Sequence, residues 1–194
     1  MGELIGNDII DLEIPISPNW KSPRYLNKLF SSAEQTAILD SEKPEISLQL
    51  FWSLKEATYK AHQRQFDLPR KYNPLSFQCE IISEEKNKFQ GIVRTNNQSY
   101  FTFSRITRAN IHSTATLEKN INTSIKIFQD EDILKDKLFT EYSLLLKEQK
   151  SNLWIQKNKQ NIPQLFSRNL NTSQVFSLSH HGRFSAFAIA LMNS

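Results

Sequence analysis

Trp52-Ser53-Leu54-Lys55-Glu56-Ala57-Thr58-Tyr59-Lys60 lies inside the strongest helix-patterned stretch of the chain, Ser47–Arg64. Phe51, Leu54, Thr58 and Ala61 recur at three- and four-residue steps, so one stripe of this helix faces a core. Trp52, Glu56 and Lys60 fall on a second stripe, where side chains four apart are neighbours. On an open surface Glu56 and Lys60 would be an ordinary ion pair worth roughly a few tenths of a kcal/mol. The large apolar residues flanking both stripes point instead to a helix covered on two sides, with its acid and base in a cleft.

Upstream, Leu4–Leu12 reads as a buried strand, and Arg24–Leu39 reads as helical. Within that second stretch, Ser31-Ser32-Ala33-Glu34 carries a fresh capping signal. Downstream, strands are expected at Leu75–Ile82, Phe89–Arg94, Ser99–Arg105 and Ser113–Leu117, then a helix over Asp130–Glu148. Leu153–Gln156, Val175–Leu178 and Phe184–Leu191 read as strands again, with turns at Asn161-Ile162-Pro163 and His181-Gly182-Arg183. Helices and strands mix without a βαβ rhythm, so the fold class is α+β. Phe103-Ser104, Ile111 and Ala115 are echoed by Phe176-Ser177, Phe184 and Ala188, each 73 residues on. That echo suggests two similar lobes, each ending in a hairpin.

Apolar residues make up 39% of the 194, enough for a globular core, and the single cysteine, Cys79, excludes an internal disulfide and fits a reducing compartment. No apolar run approaches a membrane span and the start lacks a signal-peptide pattern, so a cytoplasmic protein that engages no membrane is expected. The net charge of +4 suits an anionic partner but does not choose one. A basic stripe of the kind that binds nucleic acid is absent, which argues against a nucleic-acid partner.

Asp8 shares a side of its strand with Gly6, Ile10 and Leu12, so its carboxylate is partly desolvated and needs a partner, a metal or a proton. Asp11 points to the other side. Ser177-Leu178-Ser179-His180-His181-Gly182-Arg183 brings hydroxyl, imidazole and guanidinium groups to a tight turn, equipment suited to phosphate oxygens.

Taken together, Gly6-Asn7-Asp8 and, about forty-five residues later, Trp52–Lys60 resemble the signature pair of the 4′-phosphopantetheinyl transferase superfamily. That signature is Gly-x-Asp followed by an aromatic-Ser-x-Lys-Glu-Ala-x-x-Lys helix. Arg24-Tyr25, Phe30-Ser31 and Glu34 resemble the family's arginine–aromatic helix and its cap, and Ser177–Arg183 is similar to its Ser-x-Ser-His-x-Gly-Arg element. Residues 85–100 and 118–150 match in pattern alone.

The resemblance implies an enzyme that moves 4′-phosphopantetheine from coenzyme A to a serine of an acyl or peptidyl carrier protein, with Mg²⁺. It implies that Asp8 and Glu56 hold the metal and that Lys60 neutralises the coenzyme A diphosphate. It further implies that Glu56 takes the serine proton, that Ser179, His180 and Arg183 bind coenzyme A phosphates, and that Arg24 faces the carrier. The two-lobed branch of the family has a second acid two residues after the first; that position is Ile10 here, and Asp11 follows it as in the short holo-acyl-carrier-protein synthase branch. A third metal ligand is therefore Asp11 or water. The order of elements suggests lobes 1–117 and 118–194 in one catalytic unit, a monomeric pseudo-dimer with a trimer as the alternative. A catalytically silent carrier-protein or nucleotide-binding module of the same fold is the competing function.

Overall fold

The computed structural model describes residues 4–96, 98–130 and 132–191. In chain order the first part contains β1 (Ile5–Asp11), α1 (Pro23–Leu29), α2 (Ser32–Leu39), α3 (Pro44–Gln65), β2 (Gln78–Glu85), β3 (Lys88–Thr95), β4 (Gln98–Ile106) and β5 (Asn110–Thr116). There follow β6 (Thr123–Phe128), α4 (Leu134–Leu146), β7 (Leu153–Lys157), β8 (Pro163–Ser167), β9 (Leu170–Gln174), β10 (Phe176–His181) and β11 (Phe184–Ala190). The class is α+β, with three antiparallel sheets ordered β1-β5-β4-β3-β2, β10-β11-β6 and β7-β8-β9. No described helix is long and apolar enough to cross a membrane.

β1 is buried at every position because each face has a packed neighbour. Even-numbered side chains meet α3: Ile10 joins Leu50 and Leu54 in one core, and Asp8 reaches Lys60. Odd-numbered ones meet β10 and β11: Ile9 packs on Phe184 and Ala186, and Asn7 reaches Ser179. Strand periodicity of two thus divides one segment between two partners. Among the described residues β5 is the sole strand partner of β1. Along its outer edge, side chains of β10 stand in for a ladder, the Asn7 and Asp11 amides donating to Ser177 Oγ (2.9 Å) and His181 Nδ1 (3.0 Å).

The stretch Arg24–Leu39 divides into α1 and α2 at the expected cap, whereas α3 opens before Ser47, at Pro44, and α4 opens after Asp130, at Leu134. Ser31 caps α2 in a capping box with Glu34, and Ser22 caps α1 with Pro23 in its first turn. A second apolar core joins α4, through Leu134, Leu138 and Tyr142, to Phe176, Phe187 and Ile189. Burying each such side chain contributes about 1.5–3 kcal/mol.

Strands β6, β8 and β9 go beyond the sequence expectation. They are five or six residues long with polar neighbours, and β8 opens on Pro163, which reads as a turn residue. The 73-residue echo falls on two real hairpins, β4–β5 and β10–β11, in different registers. Ser104 pairs with Ser113, whereas its counterpart Ser177 pairs with Ala188, the counterpart of Ala115.

Candidate active site

The site begins at a glycine. A Cβ on Gly6 would stand 2.0 Å from the Ala57 carbonyl oxygen and 2.6 Å from the Ala61 nitrogen. The close approach of β1 to α3 therefore needs glycine on the strand and alanines on the helix. The same contact sets Asp8, two residues along the strand, near Glu56 and Lys60.

Lys60 Nζ donates to the Asn7 carbonyl (2.9 Å) and to Asp8 Oδ1 (3.2 Å). Asp8 and Glu56 line one cavity of about 320 Å³ together with Trp52, Tyr25, Leu29 and His180. Burial, and after it the Asp8 carboxylate, push the Glu56 carboxyl up to about 7 against the pull of Lys60 and Arg70. Two carboxylates thus repel each other in a half-closed space, which a cation between them would relieve. Among the described residues there is no cluster of three or more His, Cys, Asp and Glu side chains fit to hold a metal. An oxygen-only pair completed by water and phosphate is nevertheless a usual way to hold Mg²⁺, so the donor set fits that ion.

Lys55, beside Glu56 in sequence, points the other way. Its side chain is 0% exposed and its ammonium donates to Glu34 Oε2 (2.8 Å), the Pro74 carbonyl (2.9 Å) and the Phe77 carbonyl (2.5 Å). Glu34 also accepts from the Ser31 and Cys79 amides, both at 2.7 Å. The carboxylate that caps α2 therefore neutralises the motif lysine, and the Lys55–Glu34 pair fastens α2 and α3 to the turn before β2 and to its Cys79 amide.

The β10 motif separates in the same way. His180 is exposed at the cavity. Ser179 is buried and accepts from Asn7 Nδ2 (2.9 Å). Arg183 faces Asp11, with Nε on Oδ2 (2.9 Å), Nη2 on Oδ1 (2.7 Å) and its backbone N–H on Oδ2 (3.0 Å), and it also pairs with Glu13. The Arg183 hydrogen bond holds the Asp11 carboxyl well below the usual carboxylate range, and Asp11 in turn raises the guanidinium. Gly182, at φ +56°, brings the turn so close that a Cβ would stand 2.6 Å from Asp11 Oδ2. Arg24 lies on the exposed face of α1, outside the cavity lining.

Asn7 and His112 escaped the sequence reading of the site. Asn7 Nδ2 lies 3.2 Å from His112 Nε2, and burial, helped by Lys60, holds that imidazole down to about 4. A polar residue on the strand face it shares with Ile5 and Ile9 was the available signal for Asn7. His112 had none, since its partners come from other strands.

The sequence matches the family described as the 4′-phosphopantetheinyl transferase superfamily over residues 4–118. No curated protein matches the chain. Among solved structures, it is similar to the crystal structure of Thermotoga maritima holo-[acyl-carrier-protein] synthase, with 13% identity and a TM-score of 0.43, covering 84% of this chain and 82% of that one.

Proposed function

The chain belongs to the 4′-phosphopantetheinyl transferase superfamily, and we propose that it transfers 4′-phosphopantetheine from coenzyme A to a serine of an apo acyl or peptidyl carrier protein. The observation that carries this reading is the shared cavity of Asp8 and Glu56 beside Lys60, with Glu56 pushed up to about 7. Asp8 and Glu56 would hold Mg²⁺, which when bound supplies charge neutralisation for the diphosphate. Glu56 accepts the proton of the carrier serine, directly or through water. Lys60 steadies the charge that grows as the phosphorus–oxygen bond to the leaving nucleotide breaks. His180 reaches coenzyme A from the exposed end of β10. Ser179 and Arg183 support that strand through Asn7 and Asp11, and Arg24 on the exposed face of α1 meets the acidic carrier.

We read residues 1–117 and 118–194 as two lobes of one monomeric unit; light scattering that gave a stable trimer would overturn this part. The function is tested by mixing the protein, coenzyme A, Mg²⁺ and a panel of apo carrier proteins and weighing the carriers. The expected result is a gain of one phosphopantetheine on at least one carrier. Coenzyme A binding with no gain on any carrier would overturn the transferase in favour of a silent binding module.

A further inference from the structure

The three-stranded sheet β10-β11-β6 roofs only part of the five-stranded one. β1 and β5, beneath it, are buried at every position. β4, β3 and β2 follow in the strand order, and on the face turned away from α3 they lie open, with Phe103 38% and Ile82 57% exposed. A cavity of about 330 Å³ marks the step, with Thr123 and Ile125 of β6 on one side and Phe101, Phe103, Gln90 and Ile82 on the other.

Two features say what completes the roof. The first is a free edge. β6 pairs with β11, and among the described residues its other edge has no strand partner. Ile125 and Ile127 stand opposite Ala188 and Ala186 of β11, and Ala186 packs on Ile9 of β1, so both isoleucines turn toward the five-stranded sheet. A strand laid along this edge meets unpaired N–H and C=O groups of β6 beside it and the apolar side chains of β4 and β2 below.

The second feature is charge. Lys119 lines the cavity and no carboxylate does. Past Phe103, Arg105 stands opposite Lys88 on the same open face, a like-charge pair. Neither cation is in an ion pair among the described residues, nor is Glu85, which lies across β2 from Lys88. Lys126 is exposed on the upper side of β6, between the two isoleucines. The free edge of β2 carries Glu80, Glu84 and Glu85 instead, so it repels what β6 attracts.

We propose that the free edge of β6 takes an added strand from a partner protein, an extended acidic segment whose alternate apolar side chains lie on Phe101, Phe103 and Ile82. Its carboxylates meet Lys126 above, Lys119 at the Phe101 end, and Arg105 with Lys88 beyond Phe103. Main-chain hydrogen bonds give affinity, and the apolar floor and the cations select the segment. A second copy of this chain fits less well, because two β6 edges with their isoleucines turned down set Lys126 beside Lys126. The site lies on the face opposite Asp8 and Glu56, so it stands apart from the transferase reading.

The probe is a heptapeptide alternating glutamate and valine, titrated by calorimetry against the full chain at low salt, with a lysine–valine heptapeptide beside it. The glutamate peptide should bind at least about 10-fold more tightly, and Lys119→Glu should remove most of that preference. N-methylation of alternate peptide amides separates strand addition from apolar docking without altering the protein. An added strand bonds β6 through one set of amides, so methylating that set abolishes binding and methylating the other is tolerated. Hydrogen exchange should slow in β6 and not in β2 when the peptide is bound. No binding of the glutamate peptide at millimolar concentration overturns the proposal. So do equal affinities of the two peptides, the same response to both methylated sets, slowed exchange in β2, or a peptide-free dimer in which β6 is already protected.

Discussion

Gly6 and Ala57 touch so closely that no side chain fits between the strand and the helix, the Ala57 carbonyl lying 2.0 Å from where a Gly6 Cβ would be. The two halves of the family signature, far apart in sequence, are the two sides of this contact. Gly6→Ala is therefore expected to push β1 off α3 and cost about 1–3 kcal/mol, the usual range for overpacking. Carrier modification should fall with it, since Asp8 and Glu56 move apart. Denaturant unfolding and the carrier mass assay check both, and an Ala variant of unaltered stability would refute the packing argument.

Glu56→Ala and Lys55→Ala should fail for different reasons. Removing Glu56 leaves a folded protein without its proposed base and metal ligand. Removing Lys55 strands Glu34, 2% exposed, without its cation, and breaking a buried pair costs about 3–5 kcal/mol. Unfolding curves should separate the two variants: Glu56→Ala stable and inactive, Lys55→Ala unstable, with residual activity in its folded fraction. Comparable stability of the two would overturn the structural role of Lys55.

Glu56 also predicts a pH dependence in the metal-free protein. Its carboxyl rises from the ordinary 4.5 to about 7 on folding, so the folded state binds the proton more tightly. The group's contribution to stability is full below about 4.5 and is lost as pH rises through about 7. Glu56→Gln should therefore be the more stable protein at pH ~8, by on the order of 2–3 kcal/mol, with the gap closing towards pH ~5. Melting curves with a chelator present measure it. Adding Mg²⁺ should raise the melting temperature of the unaltered protein and leave Asp8→Ala unmoved.

His112 has the opposite sign. Folding lowers it from 6.5 to about 4, so its contribution is full above about 6.5 and is lost as pH falls through about 4. His112→Gln should flatten the acid limb of the stability profile, and an acid limb identical to the unaltered protein's would show that this imidazole is not held neutral.

Arg183→Ala should loosen the junction between β1 and the β10–β11 hairpin. Because Asp11 is held below the usual carboxylate range, the loss is present at neutral pH and fades once acid protonates that carboxyl. Melting temperatures of the two proteins that stayed equally far apart in strong acid would exclude the clamp.

The sequence by itself determined most of the local elements, though not β6, β8 and β9, and the chemistry along α3. The period of apolar residues in Ser47–Arg64 marks the helix, the Ser31–Glu34 box marks a cap, and the spacing of Asp8, Glu56 and Lys60 carries the family. These signals are local or fixed in order, so a linear chain displays them. Tertiary structure alone decided which polar residues are free. Lys55 and Glu56 are adjacent in the chain, yet one is tied to Glu34 and the other lines the cavity, because neighbouring helix positions point about 100° apart. Asp11 and Arg183, like Asn7 and Ser179, meet across 172 residues of chain. No periodicity records such pairings, since they depend on how β1 seats against β10, and it is that seating which gives Arg183 its two carboxylate partners, Asp11 and Glu13.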